Sequence, residues 1–299
     1  MRTWQPHKTR IGAMAFSPDG RLLATVSGQS QLVFLWDAIT GESVRKLKGH
    51  EYPARGVAFS PDGKYIASMQ AGTELKVWEV KTGELFNSNG VGMGNSKTLT
   101  FTPDSKAIIA AGERELIRWP FAKTWTWDQP PLEKLPVTGA TQRVGFSPAG
   151  NLVTASGGYV TIHPLPKSAE KTRMFVTPVG YGAVINGFSF SRDGTKMGVA
   201  YANRTACVWD LSQPEAKVPA LLKGHRGHIR AIGFTSDGRT AITVSLDCTS
   251  RFWDATTGAE LRLFQWQIGR IVTAAFAPDG LTCAAGSDDG RVVVWDIDA

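Results

Sequence analysis

An all-β ring of seven four-stranded blades is predicted by three observations: a phrase repeated seven times at near-constant spacing, strand-type periodicity inside every copy, and no helical period of convincing length. The phrase reads F-S-P-D-G from Phe16 and Phe59, F-T-P-D-S from Phe101, F-S-P-A-G from Phe146, F-S-R-D-G from Phe190, F-T-S-D-G from Phe234 and F-A-P-D-G from Phe276. Successive phenylalanines are 43, 42, 45, 44, 44 and 42 residues apart. That period matches the roughly 40 to 45 residues of one four-stranded blade in an antiparallel β-propeller. It accounts for nearly all of residues 1–299 and leaves no room for a second domain.

Each copy justifies its strands in order. An alternating run such as Arg55-Gly56-Val57-Ala58-Phe59 is a first strand, and the Pro-Asp-Gly after it presets a tight turn into a second, Tyr65-Ile66-Ala67-Ser68. A third run, rich in β-branched residues, ends in tryptophan: L-V-F-L-W-D to Asp37, L-K-V-W-E to Glu79, E-L-I-R-W to Trp119, A-C-V-W-D to Asp210, R-F-W-D to Asp254 and V-V-V-W-D to Asp296. Only the fourth copy departs, with Val160-Thr161-Ile162-His163-Pro164 in that place. The seventh copy stops after its third strand, while Arg2-Thr3-Trp4-Gln5 precede the first copy and have no blade of their own. The N-terminal segment is therefore expected to complete blade seven and close the ring, leaving no long sheet edge unpaired.

Composition narrows the function classes. No apolar run reaches the roughly 18 residues that span a bilayer, and the start carries no apolar secretion segment, so a cytoplasmic protein without a membrane partner is expected. Cys207, Cys248 and Cys283 are odd in number and widely spaced, which indicates neither a disulfide framework nor a zinc site. The Pro-Asp-Gly turns lack the alternating oxygen ligands of a calcium loop. No metal or other cofactor is expected. The formal charge of +7, from 33 Lys and Arg against 26 Asp and Glu, favours acidic partners.

Gly49-His50 and Gly224-His225 before a copy, F-S-P-D-G within it and W-D at its end resemble the WD40 repeat family, along the whole chain. The resemblance implies the seven-bladed propeller, and the wording of the repeats is similar to bacterial WD40 proteins, in which propellers are often attached to kinase or other signalling domains. It also implies a buried hydrogen-bond chain in blade six through His225, Ser245, Asp247 and Trp253. These could pass for a nucleophile, base and orienter, but a buried indole and imidazole need such partners for structural reasons alone. Other blades depart from it: Gln267 stands in the histidine place of blade seven beside Ser287, Asp289 and Trp295, Tyr181 and Asn203 stand in blade five, and His7 and His50 lack a matching Asp. His163 and His228 join no cluster at metal spacing. No catalytic constellation remains, and a non-catalytic scaffold is expected.

In that architecture the residues six and four before each phenylalanine stand at the channel mouth, on the face that usually docks partners in the family. They supply Arg10, Arg55, Lys97, His228, Arg230 and Arg270, with no acid; Asp288 lies in a neighbouring loop. An acidic peptide or protein segment docking on a monomeric propeller is the expected partner. Nucleic acid on the same face is the alternative, disfavoured because the mouth positions hold no stacking aromatics; a propeller enzyme is the third. Two other stretches stand out. N-G-V-G-M-G-N-S-K-T, from Asn89 to Thr98, lacks the spacing and following helix of a phosphate loop and reads as the loop entering blade three. Trp125 and Trp127 fall where the outer strand of blade three should be.

Overall fold

A computed structural model describes residues 1–70, 74–90, 98–112, 115–121, 133–135, 141–164, 171–178, 183–212 and 218–297. Every repeat phrase lies in a β-hairpin. In blade six the first strand, Ile229–Phe234, turns into Thr240–Ser245, which pairs with Thr249–Asp254 and then Glu260–Gln265. The turn is held twice over. In blade two Gly63 N donates to Ser60 O at 2.9 Å with Gly63 at φ 70, a backbone region that glycine enters freely. The Ser60 hydroxyl then donates to Asp62 at 2.6 Å, and the same hydroxyl-to-Asp bond recurs at Ser17, Thr102, Ser191 and Thr235. Sequence reading credits the Pro and Gly of this phrase but misses the Ser/Thr to Asp clamp.

Seven four-stranded antiparallel sheets result, with strands in chain order in six of them. The core is divided among the seven seams between blades. In every blade but the fourth, which has His163 in place of Trp, the repeat Phe, the residue two before it and the third-strand Trp pack back on the preceding blade; Phe59, Val57 and Trp78 of blade two join Ala24, Val26, Val33 and Leu35 of blade one. The same arrangement joins blades five and six through Phe234, Ile232 and Trp253 against Ala200, Ala206 and Val208. Removing these side chains from water is the main stabilising term, so each blade depends on both neighbours. Among the described residues no helix is long and apolar enough to cross a membrane.

Blade four differs in its hairpin. Phe146 pairs with Leu152, six residues on, where the other phenylalanines pair seven on, as Phe234 does with Ala241. The tighter turn puts His163 opposite Leu152, in the place that Trp253 holds opposite Ala241. Asn89 and Gly90 belong to the fourth strand of blade two, Leu85–Gly90, and Thr98 opens the first strand of blade three, so the entry loop is shorter than the sequence suggests. The outer strand of blade three is Glu133–Leu135, later in the chain than the expected Trp125 and Trp127; these two and Tyr181 lie outside the described residues.

The ring closes as the chain ends require. Arg2–Trp4 pairs antiparallel with Val292–Asp296, in the register Arg2 with Val294 and Trp4 with Val292, as the fourth strand of blade seven. Trp4 also reaches blade one, where its ring lies 6.4 Å from that of Trp36. Deleting residues 1–5 removes both the strand and this seam contact and bares a valine-rich edge. The expected result is a melting temperature lowered by roughly 5 to 10 °C, with aggregation that grows with concentration, measured by calorimetry and light scattering.

Candidate functional site

The buried polar chain of blade six is the first arrangement to settle. The loop before the first strand places His225 over the inner hairpin, its side chain fully enclosed. Asp247 accepts from His225 Nδ1 at 2.9 Å, from the Arg226 backbone N–H at 2.7 Å and from the Thr249 hydroxyl at 2.6 Å. Burial alone would raise the Asp247 carboxyl; these three hydrogen bonds outweigh it and hold the group well below the usual carboxylate range. His225 Nε2 lies 2.7 Å from the hydroxyl of Thr243, which also accepts the Trp253 indole N–H at 2.8 Å. One set of protons satisfies all of these: Trp253 donates to Thr243, Thr243 to Nε2, and Nδ1–H to Asp247.

The hydroxyl in this chain is therefore Thr243, and the placing of Ser245 there is corrected. Ser245 lies two residues further along the same strand, at its end, where its hydroxyl accepts the Asp247 backbone N–H at 3.2 Å. Because Trp253 pairs with Ala241, its indole N–H reaches the second residue beyond, not the fourth. Thr25 does the same in blade one, with His7 Nε2 and Trp36 Nε1 both at 2.8 Å. In blade two Ser68 meets His50 at 2.5 Å, while the Trp78 indole turns to the Lys48 carbonyl. In blade four Thr154 meets His163 at 2.9 Å, which gives that histidine a structural place. Blade seven has Ala285 at this point; Ser287 binds Asp289, and the buried Trp295 Nε1 meets no partner among the described residues. The signal was present: in blades one, two and six the Gly-His-type histidine and a hydroxyl nine residues after the phenylalanine occur together.

This chain is chemically closed. Thr243 is fully buried and both roles of its hydroxyl are occupied, so it has no path to a substrate. Among the described residues no group of three or more His, Cys, Asp or Glu is placed to hold a metal ion. Burial pushes the Cys207 thiol up to about 12 and the Cys283 thiol up as well, which makes both inert fillers; Cys248 is less buried.

The mouth residues lie where the first strands begin. Arg10, Arg55, His228 and Arg270 are exposed and Arg230 is half-buried; Lys97 lies outside the described residues. Asp288 is exposed, and its backbone N–H donates to the Arg270 carbonyl at 2.9 Å. Among the described residues none of these arginines has an ion-pair partner. Burial, then the charges of Arg10 and Arg270, lower the Arg230 pKa, and the buried Nε of Arg230 meets no acceptor. A residue missed in sequence joins them: burial and then the charge of Arg230 lower the pKa of Arg143, three before its phenylalanine. The other blades carry Ala, Gly or Thr at that place, so the signal was a single large cation in a column of small residues.

With fold and site in view, the comparisons fix the class. The family model described as "WD domain, G-beta repeat" matches residues 1–37, 41–79, 216–254 and 263–296. The chain belongs to the WD40 repeat family and is a seven-bladed propeller of that kind. It is similar to Protein tipD of Dictyostelium discoideum, 23% identical over 301 aligned positions that cover 99% of this chain and 41% of that protein. A guanine nucleotide-binding protein subunit beta of Arabidopsis thaliana is 25% identical over 218 residues, 68% of this chain and 56% of its own length. Angio-associated migratory cell protein of Homo sapiens is 24% identical over 264 residues, covering 88% and 49% respectively. The chain thus spans about two fifths to just over half of the length of these relatives.

Two outcomes test the buried chemistry. Thr243→Val strands the Trp253 donor and His225 Nε2 and should cost about 2 kcal/mol or more in denaturant titration, whereas Ser245→Ala should cost about 1 kcal/mol. Burial lowers His7 and His50 from 6.5 to about 4, at His50 against the opposing charge of Glu74. The unfolded chain therefore binds more protons than the folded one between these values, and stability is full above pH 6.5 and lost as pH falls toward 4. Between pH 7.5 and 5 the loss should be roughly 2 kcal/mol per histidine, with a smaller loss in the double variant H7Q/H50Q. Asp247 acts only below this window, since a lowered carboxylate loses its contribution beneath the unfolded value of about 3.9.

Proposed function

We propose that this propeller is a non-catalytic protein-interaction scaffold whose basic mouth docks an acidic peptide or protein segment. One observation carries the reading: Arg10, Arg230 and Arg270 stand close enough for the charges of the first and third to act on Arg230, with no carboxylate paired to any of them among the described residues. Like charges held together cost free energy that an incoming anion would relieve, and a rigid concave site focuses their field. Arg55 and His228 extend the surface, and Lys97 is assigned to it by its repeat position. The names of two relatives lend support to an interaction role: one is a subunit of a larger assembly, and another, Apoptotic protease-activating factor 1 of Rattus norvegicus, 23% identical over 97% of this chain, is called an activating factor.

Charge reversal separates this reading from a nucleic-acid surface. R55E/R230E/R270E should weaken capture of an Asp/Glu-rich peptide at least tenfold, with wild-type binding falling as salt rises. Unchanged capture by the triple variant would refute the mouth as the site. Tight, steeply salt-dependent binding of a single-stranded oligonucleotide, with none of the peptide, would assign the face to nucleic acid.

A further inference from the structure

Around the axis each first strand turns one face to the following blade, and that face must be small where neighbours approach. A Cβ added to Gly233 would stand 2.4 Å from the Phe276 ring of the next blade, whereas one added to Gly187 would make ordinary contact with the Arg230 carbonyl at 3.6 Å. Three before the phenylalanine the residues are Ala13, Gly56, Thr98, Gly187, Ala231 and Thr273, and in blade four alone Arg143. Its side chain crosses the seam to blade five, where Nε donates to the Asn186 carbonyl at 2.6 Å, and Nη1 returns to the Gln142 carbonyl at 2.7 Å.

The seam is correspondingly open. A groove of about 440 Å³ runs between 143–148 and 187–190, a volume within the roughly 300 to 1,000 Å³ of ligand pockets. Arg143 forms part of its lining with Val144, Phe146, Phe188 and Phe190. Phe146, Phe188 and Phe190 are half-buried, as is Phe276, where Phe16, Phe101 and Phe234 at other seams are buried. Phe188 meets Phe190 edge to face at 6.2 Å and lies over Gly145, whose missing side chain leaves it room. An aromatic slot thus adjoins a guanidinium that has spent two of its five N–H donors and feels the charge of Arg230.

We infer that this groove takes an aromatic side chain of the docked segment while Arg143 and Arg230 hold the carboxylate next to it. The inference rests on the acidic-segment reading and narrows it to segments in which an aromatic residue neighbours Asp or Glu. Edge and face contacts with Phe188 and Phe190 suit a flat ring, and a guanidinium fork suits a carboxylate.

The test compares Ac-Asp-Phe-Asp-NH2 with Ac-Asp-Ala-Asp-NH2 by calorimetric titration. The Phe peptide should bind at least tenfold more tightly to wild type. Gly145→Val, which drives Phe188 into the groove, should abolish that preference and leave the Ala peptide unaffected; should it fail to fold, Phe188→Ala removes the wall instead. Arg143→Met should weaken both peptides. Equal affinity for the two, with weakening by R230E/R270E intact, overturns the groove and leaves the basic mouth standing. A Phe peptide that binds R230E/R270E as tightly as it binds wild type overturns the acidic mouth and leaves the aromatic slot. No binding of either peptide at millimolar concentration overturns both.

Discussion

Crowding at the axis governs the rest of this molecule. Seven first strands converge on one line, and neighbours pack so closely that a methyl group at Gly233 would collide with the Phe276 ring. Every blade but the fourth therefore spends one face of its inner strand on Ala, Gly, Ser or Thr and moves its bulk to the other face and outward, into the Phe and Trp that fill the seams. The hairpin turn must be equally compact, which explains the recurring hydroxyl-to-aspartate clamp beside a left-handed glycine. Buried imidazole and indole groups come with this packing, and the Thr243 and Thr25 hydroxyls satisfy them.

Where the rule is relaxed, chemistry becomes available. Arg143 sits in the column of small residues and lines the open seam between blades four and five, and Arg230, half-buried with an unbonded Nε, is near enough for its charge to act on Arg143. Such positions cost stability, because a guanidinium out of water and next to others of its kind gains nothing until an anion arrives. The surrounding blades supply what holds them in place. A rigid ring can keep cations together that a flexible loop would let drift apart, and the proposed docking of an acidic segment draws on that preorganisation.

How far the sequence could be read follows from what each signal depends on. Strands, turns, blade count and ring closure were legible because each rests on local pattern or on simple counting: Phe16 to Phe276 mark the hairpins, and Arg2–Trp4 had only one vacancy to fill. The basic mouth was read from spacing alone; of it, the structure shows the charges of Arg10 and Arg270 acting on Arg230. Ser245 was misplaced because a two-residue step keeps a side chain on the same face, and choosing between Thr243 and Ser245 needs the cross-strand register of Trp253. Blade four was obscured for a related reason: its hairpin is tighter by one pairing step, so His163 looked unattached although it meets Thr154. Arg143 escaped notice because its meaning lies in what the other six blades carry at that place.

The closing strand also sets how the ring answers to force. Arg2 pairs with Val294 and Trp4 with Val292, so both ends of the chain leave the sheet from the same end of the pair. Tension between them loads one backbone hydrogen bond at a time and peels the strand like a zipper; it does not shear all its bonds together. A covalently closed version, with residues near 2 and 294 joined, would carry that load through the chain itself. The blades resist heat collectively, yet a modest pull at the termini acts on their weakest geometry.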